Sequence, residues 1–290
     1  MNVFNISMCV FILSIVICIF VVFFNKEEYE YIHKYLKDIK NKSKITYDKK
    51  YGIIVSNKKL SENMYKDRIG IVIPTFGRPE FLKQMLNSLS KANLDNTVIV
   101  IADETVTKHE KNISNEMKRI ILDYEIRNKV GNIPIIKIFK KRHGNMYDSF
   151  KIGFDLLEEL GCNMFMTLDS DAIVKRDFIQ KLMEIYQLHK HRPVIISGFH
   201  TTNNNHKVIK EYPTYRTKSS IGGINMLFNK NTYKNYFRPT LTDDQWDFTV
   251  GDKIKEKKGL LIVTKPSVVD HIGSHGLWST ESKYDKSDDF

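Results

Sequence analysis

The chain has 290 residues, 42% of them hydrophobic, enough to bury a sizeable core in one large domain or two small ones. A formal net charge of +11 and a pI near 9.3 would suit a polyanionic partner, yet no aromatic RNA-binding signature or DNA-reading helix accompanies the lysines, so a nucleic-acid partner is not expected. Cys9 and Cys18 lie in an N-terminal apolar run, which leaves Cys162 alone and excludes an internal disulfide or a cysteine-built zinc site in the remainder.

That run, Ile6 to Phe24, has only Ser7 and Ser14 as polar members and is long enough to cross a bilayer as a helix. No basic residue precedes it and no small-residue cleavage site follows, which favours a retained anchor over residues 1–25 rather than a signal peptide. Lys26, Lys34, Lys37 and Lys40 come after the span. The positive-inside rule therefore predicts a single-pass protein with its bulk in the cytosol, a type II luminal arrangement being the alternative. Residues 26–66, rich in Lys, Tyr and Asn, read as a stem.

From Arg68 onward, short apolar runs alternate with amphipathic segments, the pattern of βα units in a mainly parallel sheet flanked by helices. Ile69 to Ile73 reads as a strand, and Pro79 to Ser90 as a helix with Phe81, Leu82, Met85, Leu86 and Leu89 at helical spacing. Val98 to Ile101 is a second strand, followed by a helix from about His109 to Arg127 and a third strand over Ile133 to Phe139. The amphipathic segment Met146 to Leu160 leads to a fourth strand, Met164 to Leu168, then a helix over Phe178 to Leu188 and a strand over Val194 to Ser197. A helix is also expected between Asp247 and Lys258, and Glu281 to Phe290 reads as a disordered polar tail.

The sharpest chemical signal is Asp169-Ser170-Asp171 at the end of the fourth strand. Alternate residues there can bring two carboxylates to one hard divalent cation, Mn²⁺ or Mg²⁺, which would neutralise charge on a departing diphosphate. Ligands of open α/β sheets bind outside the carboxyl ends of the strands, where this pair falls. The plainer reading is a turn, with Asp171 capping the next helix. Downstream, Asp243-Asp-Gln-Trp-Asp247 offers a carboxylate to take a proton from an acceptor hydroxyl; Asp244 and Asp247 compete for that role. Trp246 is read as a stacking surface for a sugar or as core.

Three segments in order, Ile71-Val-Ile-Pro-Thr-Phe-Gly-Arg-Pro79, Val98-Ile-Val-Ile-Ala-Asp-Glu104 and Met166-Thr-Leu-Asp-Ser-Asp171, make the chain resemble the GT-A glycosyltransferases of the family 2-like group. The resemblance implies a Rossmann-like GT-A domain over residues 67–278, a polar tail over 279–290, and transfer of a hexosyl or N-acetylhexosaminyl group, with inversion, from a UDP- or GDP-sugar to a glycan, protein or lipid acceptor. It places Pro74, Thr75, Phe76 and Arg78 on the nucleotide pocket and Asp103 on the ribose or base. It also makes Asp169, Ser170 and Asp171 the metal-binding motif, and His271 (rather than His275) a further metal ligand. Ile221-Gly-Gly-Ile-Asn225 resembles the acceptor-side glycine segment of such enzymes. Where relatives carry two adjacent aspartates, this chain has Asp103-Glu104, which keeps a non-catalytic GT-A-like binding protein as the alternative.

Overall fold

The computed structural model describes residues 44–48, 52–56, 59–104, 111–127, 133–140, 145–203, 206–274 and 284–290. The expected membrane anchor lies outside them, and no described helix is long and apolar enough to cross a membrane.

The expected βα rhythm is present. Strand β3 (Ile69–Thr75) leads to helix α1 (Pro79–Leu89), β4 (Thr97–Asp103) to α2 (Lys111–Arg127), and β5 (Ile135–Phe139) to α3 (Met146–Glu159). Strand β6 (Met164–Leu168) is followed by the short β7 (Ala172–Val174), helix α4 (Phe178–His189) and β8 (Val194–Ser197). Strands β5, β4, β3 and β6 are mutually parallel, in that order, and β3 and β4 are buried along their whole length, as strands covered on both faces must be. Alternate residues feed two cores. Ile71, Ile99 and Met166 pack against α1, α2 and α4, whereas Val72, Val100 and Phe165 face Phe150 and Phe154 of α3.

Beyond this parallel centre the sheet extends both ways, to eleven strands among the described residues, in the order β1-β2-β5-β4-β3-β6-β11-β8-β12-β10-β9. Two of these fall inside the segment read as stem. The apolar run in β2 (Gly52–Ser56) pairs antiparallel with β5 and is buried, and β1 (Lys44–Asp48) pairs with β2. On the other side β11 (Asn225–Asn229) inserts antiparallel between β6 and β8, while β12 (Leu260–Thr264) runs parallel to β8. Strands β9 (Val208–Glu211) and β10 (Tyr215–Lys218) form an edge hairpin. Helical turns over 230–240 and helix α5 (Trp246–Glu256) cover the α3 face.

A separate two-stranded ribbon pairs β7 with β13 (Val269–His271), setting Ala172 opposite His271. The tail also departs from expectation: residues 284–290 dock on the domain through hydrogen bonds to the backbone and side chains of 200–202, 216, 267 and 270–271.

Candidate active site

Because β3, β4 and β6 are parallel, their carboxyl ends open on one rim, and the three sequence motifs meet there. Thr75 stands beside Asp103 in register, and its hydroxyl donates to Asp103 Oδ1 at 2.9 Å, with both residues buried. Pro74 lies inside β3 opposite Ala102. Phe76 is half-buried, and Gly77, at φ 60°, turns the chain so that Arg78 leaves the strand toward β6. The Arg78 guanidinium then lies 2.8 Å from Asp171 Oδ2.

Glu104, the departure from the paired aspartates of relatives, has a use of its own. Its Oε1 accepts from the Ser149 hydroxyl at 3.1 Å, and its Oε2 lies 3.4 Å from Lys140 Nζ. Lys140 also reaches Asp148 at 3.1 Å, so a buried ion pair joins the ends of β4 and β5 to the start of α3. Residues 141–144, Lys-Arg-His-Gly, which could equally offer cations to a diphosphate or form a solvated basic loop, lie outside the described residues.

Asp169 and Asp171 close a turn at the end of β6, in which the Ala172 amide donates to the Asp169 carbonyl at 3.1 Å. Asp171 does not cap a helix. It leads into β7, and α4 begins later, after Asp177. Ser170 between them is buried. Oδ1 of Asp169 and Oδ1 of Asp171 are both sealed from solvent, and neither has a hydrogen-bond partner among the described residues. Such oxygens are costly unless a cation or donor meets them. Burial, and then the charge of Asp171, push the Asp169 carboxyl above the ordinary range; Asp171 resists its own burial because His271 and Arg78 hold it low.

The antiparallel pairing of β7 and β13 delivers His271, whose Nε2 lies 3.3 Å from Asp171 Oδ2. Burial opposes its protonation, but the Asp171 carboxylate outweighs that and raises the imidazole. Gly273 lies against this pair so closely that a Cβ there would sit 2.1 Å from Asp171 Oδ2. No group of three or more His, Cys, Asp or Glu side chains among the described residues forms a ready cage for a metal ion. The donor set fits a cation held by the two aspartates with other positions left to a ligand's oxygens, the usual manner of Mg²⁺ at phosphate sites.

Of the two candidate bases, the structure brings in Asp247. Its charge is felt at Asp169, whereas Asp244 is exposed in the preceding turn. Asp247 Oδ2 accepts from the Gly223 amide at 3.2 Å and Oδ1 from the Phe248 amide at 2.9 Å; burial raises the carboxyl, and those amides oppose the rise. Gly223 is tied in turn to β6, its carbonyl accepting from the Thr167 hydroxyl at 3.0 Å. A Cβ on Gly223 would meet Trp246 at 2.6 Å, so the glycine lets α5 close on the sheet. Trp246 is core, edge-on to Phe150, and offers no face to a sugar. Instead the exposed aromatic beside Asp247 is Phe248, stacked on His206. Neither of these two stands in a motif, and only their fold neighbours reveal them.

A sheet of this order with an acidic turn at its rim defines the GT-A type of glycosyltransferase. The model of the family described as "Glycosyl transferase family 2" matches residues 70–248, most of the chain, and the chain belongs to that family. Among solved structures, one of S. aureus TarS residues 1–349 is similar at 13% identity and a TM-score of 0.45, covering 68% of this chain and 57% of that one. A second TarS structure matches at 11% identity and a TM-score of 0.45, covering 68% of this chain and 35% of that one. The chain thus spans little more than half the length of the first and about a third of the second. No curated protein matches.

Proposed function

We propose that this chain is a metal-dependent, inverting glycosyltransferase that takes a hexosyl or N-acetylhexosaminyl group from a UDP- or GDP-sugar and passes it to a glycan, protein or lipid hydroxyl, at a membrane to which residues 1–25 anchor it. The observation that carries the reading is the meeting of two sealed, unpartnered carboxylate oxygens, Asp169 Oδ1 and Asp171 Oδ1, with Asp247 at the rim where family 2 motifs converge.

Asp169 and Asp171 would hold Mn²⁺ or Mg²⁺, with His271 beside them; when bound, the ion supplies positive charge to the diphosphate as the sugar leaves. Thr75, Phe76 and Arg78 line the nucleotide side with Asp103, and Arg78 can pass its charge from Asp171 to a phosphate once a cation arrives. Asp247 accepts the proton of the acceptor hydroxyl as that oxygen attacks the anomeric carbon from the face opposite the nucleotide. Its raised carboxyl is the better base for it. Phe248 and His206 give the acceptor an apolar face beside that base.

The test is a screen of UDP- and GDP-sugars with the full chain, with and without Mn²⁺, reading nucleotide release and product linkage. Metal-stimulated release is expected. Donor binding without turnover would instead establish the non-catalytic alternative, and turnover unaffected by chelation would remove the metal.

A further inference from the structure

His271 is held from two sides. Its Nδ1 lies 2.9 Å from the backbone carbonyl of Asp285, and its Nε2 faces Asp171 Oδ2 at 3.3 Å. A carbonyl oxygen only accepts, so Nδ1 carries a proton, and once a cation replaces the proton on Nε2 the neutral ring presents the Nε2 lone pair toward the carboxylate pair. That is the tautomer a cation ligand needs, and a carbonyl behind the ring is the usual device that fixes it. The Tyr284 ring packs edge-on to the same imidazole, 5.9 Å between centroids.

The segment that supplies Tyr284 and Asp285 is fastened at several further points. Asp289 Oδ2 pairs with Arg216 at 2.7 Å, and Asp289 Oδ1 accepts from the Ser267 amide at 3.0 Å and from the Ser267 hydroxyl at 2.5 Å. Asp288 Oδ2 accepts from the Thr202 amide and hydroxyl, both at 2.9 Å, and its amide donates to the His200 carbonyl. The Ser287 amide donates to Asp270 Oδ1 at 2.9 Å, and Lys175 lies over the Phe290 ring at 4.7 Å. Nothing in the transfer chemistry derived above uses these contacts, yet this seven-residue segment spends two carboxylates and two amides on them.

We propose that residues 284–290 form a clamp that sets the tautomer and position of His271 for a divalent cation shared with Asp169 and Asp171, with Asp289 as its anchor. Asp285 and Asp289 are positioning residues, and the inference rests on the metal-dependent reading above.

The experiment measures Mn²⁺ binding to the full chain without donor, from the electron paramagnetic resonance of the free ion, alongside melting temperature in EDTA. Asp289→Ala and Ser287→Pro remove different fastenings, and each is expected to weaken Mn²⁺ binding about 10-fold. His271→Ala should lose as much, and adding Asp289→Ala to it should cost nothing more, since both act through one imidazole. Asp289→Asn, which keeps an acceptor for Ser267, should fall between, and carries the test if the alanine variant does not fold. Parent-like Mn²⁺ binding by Asp289→Ala or Ser287→Pro, or a loss that adds fully to that of His271→Ala, overturns the clamp alone. A parent chain that binds no Mn²⁺ overturns the metal reading and the clamp together.

Discussion

The half of the domain that begins at β3 and ends at β6 differs in kind from the half that follows. In the first, the strands are parallel, β3 pairing with β4 and β4 with β5 before β6 returns to β3, and most of the residues singled out in the sequence lie at or just past the strand ends. In the second, the site is assembled by antiparallel pairing and by contacts between turns and loops: β7 meets β13, Gly223 meets Asp247, and the Asp285 carbonyl meets His271. Periodic apolar runs place the first half's residues, and contacts between turns and loops place those of the second.

The sharpest way to break this contrast is to remove a rim carboxylate. Asp171→Ala takes away one sealed oxygen and the partner of both Arg78 and His271, and several kcal/mol of charge stabilisation should vanish, about 10³-fold in nucleotide release. Release within tenfold of the parent would mean that the rim does not carry the chemistry. Next comes the closing half. Asp247→Asn should lower kcat by about 10²–10⁴-fold while leaving donor KM near its parent value, since a base acts in the transition state. Asp244→Asn, altering an exposed turn, should leave both alone. Loss with Asp244→Asn and none with Asp247→Asn would reverse the assignment.

How far each half could be foreseen follows from the same division. Strands such as Met164–Leu168 and Val194–Ser197 are contiguous apolar runs and stand in the structure where the sequence pattern puts them. The places of Thr75, Asp103 and Asp169 at strand ends follow from the apolar runs themselves. The Gly52–Ser56 strand was hidden because three apolar residues among lysines and tyrosines look like part of a polar stem until β5 is there to pair with them. Trp246 could not be assigned from sequence, because its fate depends on Gly223 being small enough to admit it. The docking of 284–290 was illegible for a different reason: its acidic and hydroxyl residues have no apolar pattern, and only Arg216, Ser267 and Thr202, far off in sequence, give them partners.

Packing sharpens the comparison further. Phe154 in α3 lies against Phe150, Phe165, Phe228, Tyr233 and Phe237, so it joins the parallel centre to the helical turns of the closing half. Phe154→Ala should cost about 3–5 kcal/mol in denaturant unfolding. Phe248→Ala, exposed beside Asp247, should leave stability nearly unchanged and raise acceptor KM. If both lose stability alike, the aromatic beside Asp247 is structural rather than a surface for the acceptor.

The smallest effect tests whether burying the two carboxylates at the rim costs stability that a cation would restore. Burial and the Asp171 charge raise Asp169 above the value it has in the unfolded chain, about 3.9. Above that value the unfolded chain has released this proton while the folded chain keeps it, so the folded state binds more protons and stability falls as pH rises toward the raised value. Asp171, held low by His271 and Arg78, contributes stability that is complete above the ordinary carboxylate range and is lost only in acid, so it adds no slope there. His271 is raised, so its contribution is complete below about 6.5 and is lost as pH rises through its folded value. In EDTA the melting temperature should therefore drift down by a few degrees from mildly acid to neutral pH, at about 2–4 °C per kcal/mol. Asp169→Asn should flatten the part of that drift below pH about 6.5 and leave the part due to His271. Mn²⁺ should reverse the drift, because the ion binds the deprotonated carboxylate and stabilises the folded chain more as pH rises. A profile that is flat in EDTA, or one that Asp169→Asn leaves unchanged, would show that the two aspartates meet their burial at the rim by some other partner.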